Sequence, residues 1–247
     1  MRYHHPAIVV LVETCISGQK AATFNTALGF DRVIRSDTVG FSGGIWLFWD
    51  FAQVHLDVLT ISAQVIHASV QVNSSNTPWL FSAVYASLSF ESRLELWNHL
   101  ALFADTHTLP WVVAKDVNEI LSNTENFSSI PASQRRMSAF KNFLDACNLL
   151  DLGFSGPRFT WTNKRPNGLV MERLDKVLCN PSWKLCFEEA NVLHLPRVSS
   201  YHNPILIELN SIRQVFGRRP FRLETIWFSD PSFPKLVEDS WHFFPMM

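Results

Sequence analysis

The sequence predicts an α/β (α+β) fold built on two packed β-sheets with helices outside, and three observations predict it. Apolar runs of strand length recur along the chain, bounded by Gly, Pro, Asn or Ser. Only a few stretches carry the helical period between them. With 247 residues, of which 47% are hydrophobic and 17% charged, the chain can bury a sizeable core as one domain.

Strands are expected at residues 8–12, 44–49, 54–61, 65–72, 79–85, 111–114, 159–162, 174–178 and 205–209, many of them rich in β-branched and aromatic side chains. A helix over 91–104 places Leu94, Trp97, Leu100 and Ala101 on one face, and a second over 133–149 does the same with Met137, Phe140, Leu144 and Cys147. A shorter helix over 182–189 opens after Pro181. Numerous strands with few helices imply sheet-on-sheet packing with helices outside. After Leu209 the character changes to a basic stretch, 213–222, and then to mixed aromatic and acidic residues. The expected organisation is therefore a domain over 1–210 and a C-terminal arm over 211–247.

Composition narrows the functional classes. No uninterrupted apolar stretch reaches the roughly 18 residues of a membrane span, and the N-terminal apolar run ends at Glu13 without a secretory cleavage pattern. Cys15, Cys147, Cys179 and Cys186 have neither zinc-ligand nor disulfide-framework spacing. A reducing, intracellular setting is expected. A formal net charge of −1 withholds the broad basic footprint of tight nucleic-acid binders. Any such binding would rest on local patches at Gln134-Arg135-Arg136, Asn163-Lys164-Arg165 and Arg218-Arg219, each of which reads more simply as solvated surface.

Several polar residues stand at the ends of apolar strands, where α/β folds place working groups. Glu13 follows IVVLV, Asp116 and Asn118 follow WVVA, Asp175 lies in ERLDKVL and His202 precedes PILIEL. A phosphodiester hydrolase needs carboxylate oxygens for a hard divalent cation, a group to handle the water proton and donors for charge developing on phosphorus. These residue types fit that need, although acidic residues after strands also form turns and caps.

The ordered motifs LVET, VYAS, DVNE, LLDLGFSGPRFTWTNKRPNG, ERLDKVL and SYHNPILIEL resemble the endonuclease/exonuclease/phosphatase superfamily, and in particular the endonuclease domain of plant LINE-type (non-LTR) retrotransposons. The segment RPFRLETIWFSDPSFPKLVEDSW is similar to the linker leading from such endonucleases toward a reverse transcriptase. The resemblance implies a four-layered α/β sandwich, two mixed sheets flanked by helices. It implies Mg²⁺, with Mn²⁺ as a substitute, and DNA as the substrate. DNA in turn makes the nucleus the natural compartment, although no targeting signal is visible.

The resemblance also assigns roles position by position. Glu13 matches the metal-binding carboxylate, with a turn cap as the plain alternative. Tyr85 matches the tyrosine that contacts the scissile phosphate, against simple packing on Trp79. Asp116 and Asn118 match the pair that aligns the water and donates to the phosphate, against a turn-forming Asp/Asn. Asp175 matches the carboxylate that orients the catalytic His202, against a salt bridge to Arg173. Thr160, Trp161, Asn163, Lys164 and Arg165 match the segment beside bound nucleic acid, where an aromatic can wedge or stack; core packing of Trp161 is an equal reading.

Departures from the motif pattern bear on activity. The family's first strand, with its metal-coordinating Asn, would precede Met1, so that ligand and strand are expected to be missing. Tyr201 stands in place of a metal-associated Asp, Lys115 in place of a Gly, and Cys15 in place of a Lys. An impaired hydrolase is expected. The alternatives are an inactive relic that binds nucleic acid weakly and a phosphatase of small phosphorylated substrates.

Overall fold

A computed structural model of the chain describes residues 4–14, 28–36, 44–73, 77–129, 131–165, 168–197 and 200–210, with Ser232, Phe233 and Lys235. The chain divides into two compact units, Met1–Ser211 and Ile212–Met247. The expected arm, Cys15 and the Arg218-Arg219 patch thus lie outside the described residues, apart from those three arm positions.

The strands in chain order are β1 (Ile8–Val12), β2 (Arg32–Arg35), β3 (Ile45–Trp49), β4 (Val54–Ile61), β5 (Val65–Val72), β6 (Trp79–Tyr85), β7 (Trp111–Asp116), β8 (Asn126–Phe127), β9 (Leu150–Asp151), β10 (Trp161–Arg165), β11 (Gly168–Glu172), β12 (Asp175–Cys179), β13 (Asn191–His194) and β14 (Ile205–Glu208). The helices fully within the described residues are α1 (Phe90–Thr106), α2 (Gln134–Ala146) and α3 (Pro181–Cys186). A central six-stranded sheet runs β4-β5-β6-β7-β12-β9. It is mixed, because β6 and β7 are parallel while their neighbours are antiparallel. A parallel pair needs a crossover, and α1 supplies it.

One face of this sheet meets β1-β3-β2 and the β13-β14 pair across a core of Ile45, Leu47, Ile66, Ala68, Phe81, Val112, Val177 and Trp183. The other face is covered by α1 and α2 through Leu96, Trp97, Leu100, Phe140, Phe143 and Leu144. The result is the expected α/β arrangement of several sheets with few helices. On the far side of β3, Trp46 and Phe48 pack against Val9, Leu11, Leu28, Phe30 and Val33. The helix layer expected over that outer face is not among the described residues.

The structure adjusts several elements. The helix expected at 182–189 is Pro181–Cys186, because Asn180 caps it by accepting from the Trp183 amide and Pro181 takes the first turn, where its missing N–H costs nothing. In α1 the buried face is Arg93, Leu96, Trp97, Leu100 and Phe103; Leu94 and Ala101 only flank it. β7 continues two residues past the apolar run and ends on Asp116. Strands β2, β8, β9, β11 and β13 were not anticipated, being short or carrying polar residues at alternate positions. None of the helices among the described residues is long and apolar enough to cross a membrane.

Candidate active site

Three neighbouring strands end together and bring the polar residues to one sheet edge. Tyr85 on β6 is in register with Asp116 on β7, and Asp116 with Asp175 on β12. Residues directly opposite one another in a sheet project from the same face, so three sequence-distant side chains become neighbours. Asp116 and Asp175 are buried, with 1% and 0% exposure.

His202 reaches this edge from the loop before β14. Its backbone is clamped by the residues opening β10: the Thr162 amide donates to the Tyr201 carbonyl at 3.2 Å and the Asn203 amide to the Thr160 carbonyl at 2.7 Å. The imidazole Nδ1 lies 2.7 Å from Asp175 Oδ2, and Nε2 lies 3.8 Å from Asp116 Oδ2. An ionised carboxylate only accepts, so Nδ1 carries the proton shared with Asp175 and Nε2 faces Asp116. Burial opposes the imidazolium, but the hydrogen bond and charge of Asp175 outweigh it and raise the His202 pKa. Asp116 is pushed up to about 7 by burial and by the Asp175 charge. Burial also works against an ionised Asp175, yet Lys115 and His202 hold its pKa well below the usual range.

Glu13 follows β1 with φ +54, and its Oε1 accepts from the Tyr85 hydroxyl at 2.6 Å. Asn118, at φ +50, donates its side-chain amide to the Ala86 carbonyl at 2.6 Å and to Asp116 Oδ2 at 3.3 Å. Its amide hydrogens, expected to meet a phosphate, are therefore engaged in bracing the loops after β6 and β7.

Two further expectations change. Thr160, placed by resemblance beside nucleic acid, is fully buried, and its hydroxyl accepts from the amides of Leu174 at 3.0 Å and Asp175 at 2.9 Å. Strand pairing turns it inward to hold Asp175. Tyr201 is 70% exposed, so the phenol does not fill the place expected of a carboxylate. Trp161 is half-buried against the cluster of Ile120, Met137 and Leu174. Asn163 is half-buried and Lys164 exposed on the β10-β11 hairpin, and the Arg165 side chain lies outside the described residues.

Lys115 was read only as a departure, and the structure gives it a place. Its φ is +106, a region that disfavours side chains with a Cβ and costs on the order of 1–3 kcal/mol. Its Nζ lies 2.9 Å from Asp175 Oδ1.

Residues missed entirely brace the site from behind. Arg93, 2% exposed, donates through Nε to Glu119 Oε1 at 2.7 Å and through one terminal nitrogen to the carbonyls of Ser87 at 2.6 Å and Leu88 at 2.9 Å. Arg136 donates to Glu119 and, at 3.0 Å, to the Asn118 carbonyl. Together they tie α1 and α2 to the loops that carry Tyr85 and Asp116. An arginine on the apolar face of α1 was the available signal.

The residues fit a divalent metal poorly. Both oxygens of Asp175 are engaged, by Lys115 and His202, one oxygen of Glu13 holds Tyr85, and no group of three or more His, Cys, Asp or Glu suited to an ion occurs among the described residues.

The site is thus an Asp-His-Asp arrangement at the edge of a mixed sheet, inside an α/β sandwich. The chain belongs to the Endonuclease/Exonuclease/phosphatase family, whose profile matches residues 1–230. Among solved structures, the fold is similar to the endonuclease domain of TRAS1, a telomere-specific non-LTR retrotransposon, at TM-score 0.53 and 16% identity over 71% of this chain and 78% of that one. It is similar to the APE2 catalytic domain of Xenopus laevis at TM-score 0.59 and 13% identity, covering 81% and 82% of the two chains. It is also similar to the mannosyl-6-phosphatase of Bacteroides thetaiotaomicron VPI-5482 at TM-score 0.55 and 14% identity, covering 84% and 86%. No curated protein matches the chain.

Proposed function

We propose that the chain is an impaired phosphodiester hydrolase of DNA-endonuclease type, derived from a plant LINE-type retroelement. The observation that carries this reading is the His202 imidazole held between Asp175 at 2.7 Å and Asp116 at 3.8 Å. Such a group suits hydrolysis of a phosphodiester. Asp116, with a pKa near 7, exchanges a proton with water at neutral pH. The water oxygen, its proton passed to Asp116, attacks phosphorus in line as the P–O bond to the leaving group breaks, and the leaving oxygen takes a proton from solvent. His202, whose pKa Asp175 raises, faces the charge that develops on the phosphoryl oxygens. The exposed Lys164 of the β10-β11 hairpin is offered to the phosphodiester backbone, while Tyr85 holds Glu13 through its hydroxyl.

The retroelement assignment is supported by the ordered motifs and by the likeness to a non-LTR retrotransposon endonuclease domain. DNA as substrate would place the protein in the nucleus. Impairment is expected from the poor metal fit, because losing one positioned electrostatic group typically costs roughly a hundredfold or more in rate.

The test is plasmid nicking by the purified chain with Mg²⁺, beside His202→Ala and an EDTA arm. Slow nicking by the parent, absent in the variant, supports the proposal, and the EDTA arm reports whether it needs a divalent ion. A folded parent with no nicking, yet with weak salt-sensitive DNA binding, would move the reading to an inactive binding domain.

A further inference from the structure

The strongest unassigned feature is a cation the chain supplies itself. Lys115 sits on β7 immediately before Asp116, opposite Lys176 of β12. Its side chain is 15% exposed, and its Nζ lies 2.9 Å from Oδ1 of a fully buried carboxylate, Asp175. The other oxygen of Asp175 is engaged by His202 at 2.7 Å. Thus the most deeply buried acid of the site has both oxygens engaged from within the protein, by a lysine and a histidine.

The backbone adds an independent argument. A φ of +106 at a residue with a long side chain persists only when its surroundings over-determine it. Strand pairing with Val84 and Lys176 and the Asp175 ion pair together hold it there. Burial disfavours the ammonium, but the charges of Asp175, Asp116 and Glu13 outweigh it and raise its pKa. Of these, the motif resemblance assigned Glu13 to the metal and Asp116 to the water, while Asp175 orients His202.

We propose that the Lys115 ammonium, paired with Asp175 beside Asp116, is the resident cation of this site, standing in place of a divalent metal and so suppressing the site's affinity for one. The inference rests on the phosphoesterase reading only in treating these carboxylates as the ion-facing set. A divalent ion would have to approach an ammonium of like charge in a partly buried, weakly screened place and take a carboxylate oxygen from it. Both effects oppose binding. Replacing the lysine by glycine removes the ammonium and relieves the positive φ together, so Lys115→Gly is expected to fold.

The experiment is Mn²⁺ binding to the full chain, followed by electron paramagnetic resonance of the free ion, for the parent, Lys115→Gly and Lys141→Ala. Lys141 is an exposed lysine of α2 and controls for net charge. Lys115→Gly should bind Mn²⁺ at least tenfold more tightly than the other two. A second readout is the urea midpoint in EDTA and in Mn²⁺, which should rise with the ion in Lys115→Gly and stay fixed in the parent. Equal behaviour of parent and Lys115→Gly, whether both bind or neither does, overturns the inference. Failure of the hydrolase reading is separate: it would appear as no nicking with the Mn²⁺ difference intact.

Discussion

His202 at the sheet edge and His67 beneath α1 are the same residue in opposite electrostatic settings. His67, on β5, is fully buried, its ring stacked on Phe103 with centroids 3.8 Å apart. Its Nδ1 lies 2.7 Å from Ser82 Oγ, which also accepts from Trp111 Nε1 at 2.8 Å, and its Nε2 lies 3.2 Å from His99 Nε2. All of these partners are neutral or basic. Burial, then His99 and His107, push the His67 pKa down to about 3. His202 also loses water to burial, yet the Asp175 carboxylate moves it the other way. The difference teaches that burial alone does not make a working histidine here: the Asp175 carboxylate on β12 keeps one imidazole protonatable, and the lack of such a partner makes the other a packing element.

The most severe way to break this contrast is to remove the carboxylate. Asp175→Asn leaves Lys115 and His202 without their counter-charge, and breaking a buried pair of this kind costs about 3–5 kcal/mol. Urea unfolding should show that loss, and the His202 pKa followed by NMR should fall from its raised position. A variant in which His202 kept its raised pKa would show that Asp175 does not set it.

Next in size is Thr160→Val, which deprives two buried amides, those of Leu174 and Asp175, of their acceptor. A buried donor left unpaired costs about 1–3 kcal/mol. Thr160→Ser keeps the hydroxyl and should retain most of the stability in the same urea assay. Arg93→Met is expected to cost about 2 kcal/mol, since hydrogen bonds to charged groups contribute about 1.5–3 kcal/mol and Arg136 still partners Glu119. Its nicking rate should fall more than its stability does if the brace positions the Tyr85 and Asp116 loops.

The gentlest test uses pH. The folded-state pKa of His67, about 3, lies below the unfolded value of 6.5. The unfolded state therefore binds the proton more readily, and the stability from neutral His67 is complete above pH 6.5 and declines as pH falls toward 3. The slope contributed is about 1.4 kcal/mol per pH unit. For His202 the folded pKa is raised, so its contribution is complete below 6.5 and is lost as pH rises through the folded value. Stability curves of His67→Phe and His202→Asn should accordingly converge with or diverge from the parent at opposite ends of the pH range. Parallel curves would erase the contrast.

Much of the scaffold was readable in the amino-acid order. The runs 8–12, 54–61, 65–72 and 79–85 coincide with β1, β4, β5 and β6, because long alternating or continuous apolar segments leave little choice of structure. Met137, Phe140, Leu144 and Cys147 are all buried, as the period of the second helix requires. The residues at the strand ends were visible too, each polar where an apolar run stops. β11 and β13 were not, since five residues of GLVME or four of NVLH acquire strand identity only from the partner they pair with.

By itself, then, the sequence determined the longer strands, the two long helices and the set of polar residues at the strand ends, because side-chain periodicity and turn chemistry are local properties. Only the tertiary structure decided how those polar residues are used. Register across β6, β7 and β12 made neighbours of Tyr85, Asp116 and Asp175. It turned Thr160 inward, left Tyr201 in solvent, and set the Lys115 ammonium against Asp175. Charge and exposure depend on what lies within a few ångströms in space, and pairs such as Lys115 and Asp175 are brought that close only when distant strands align.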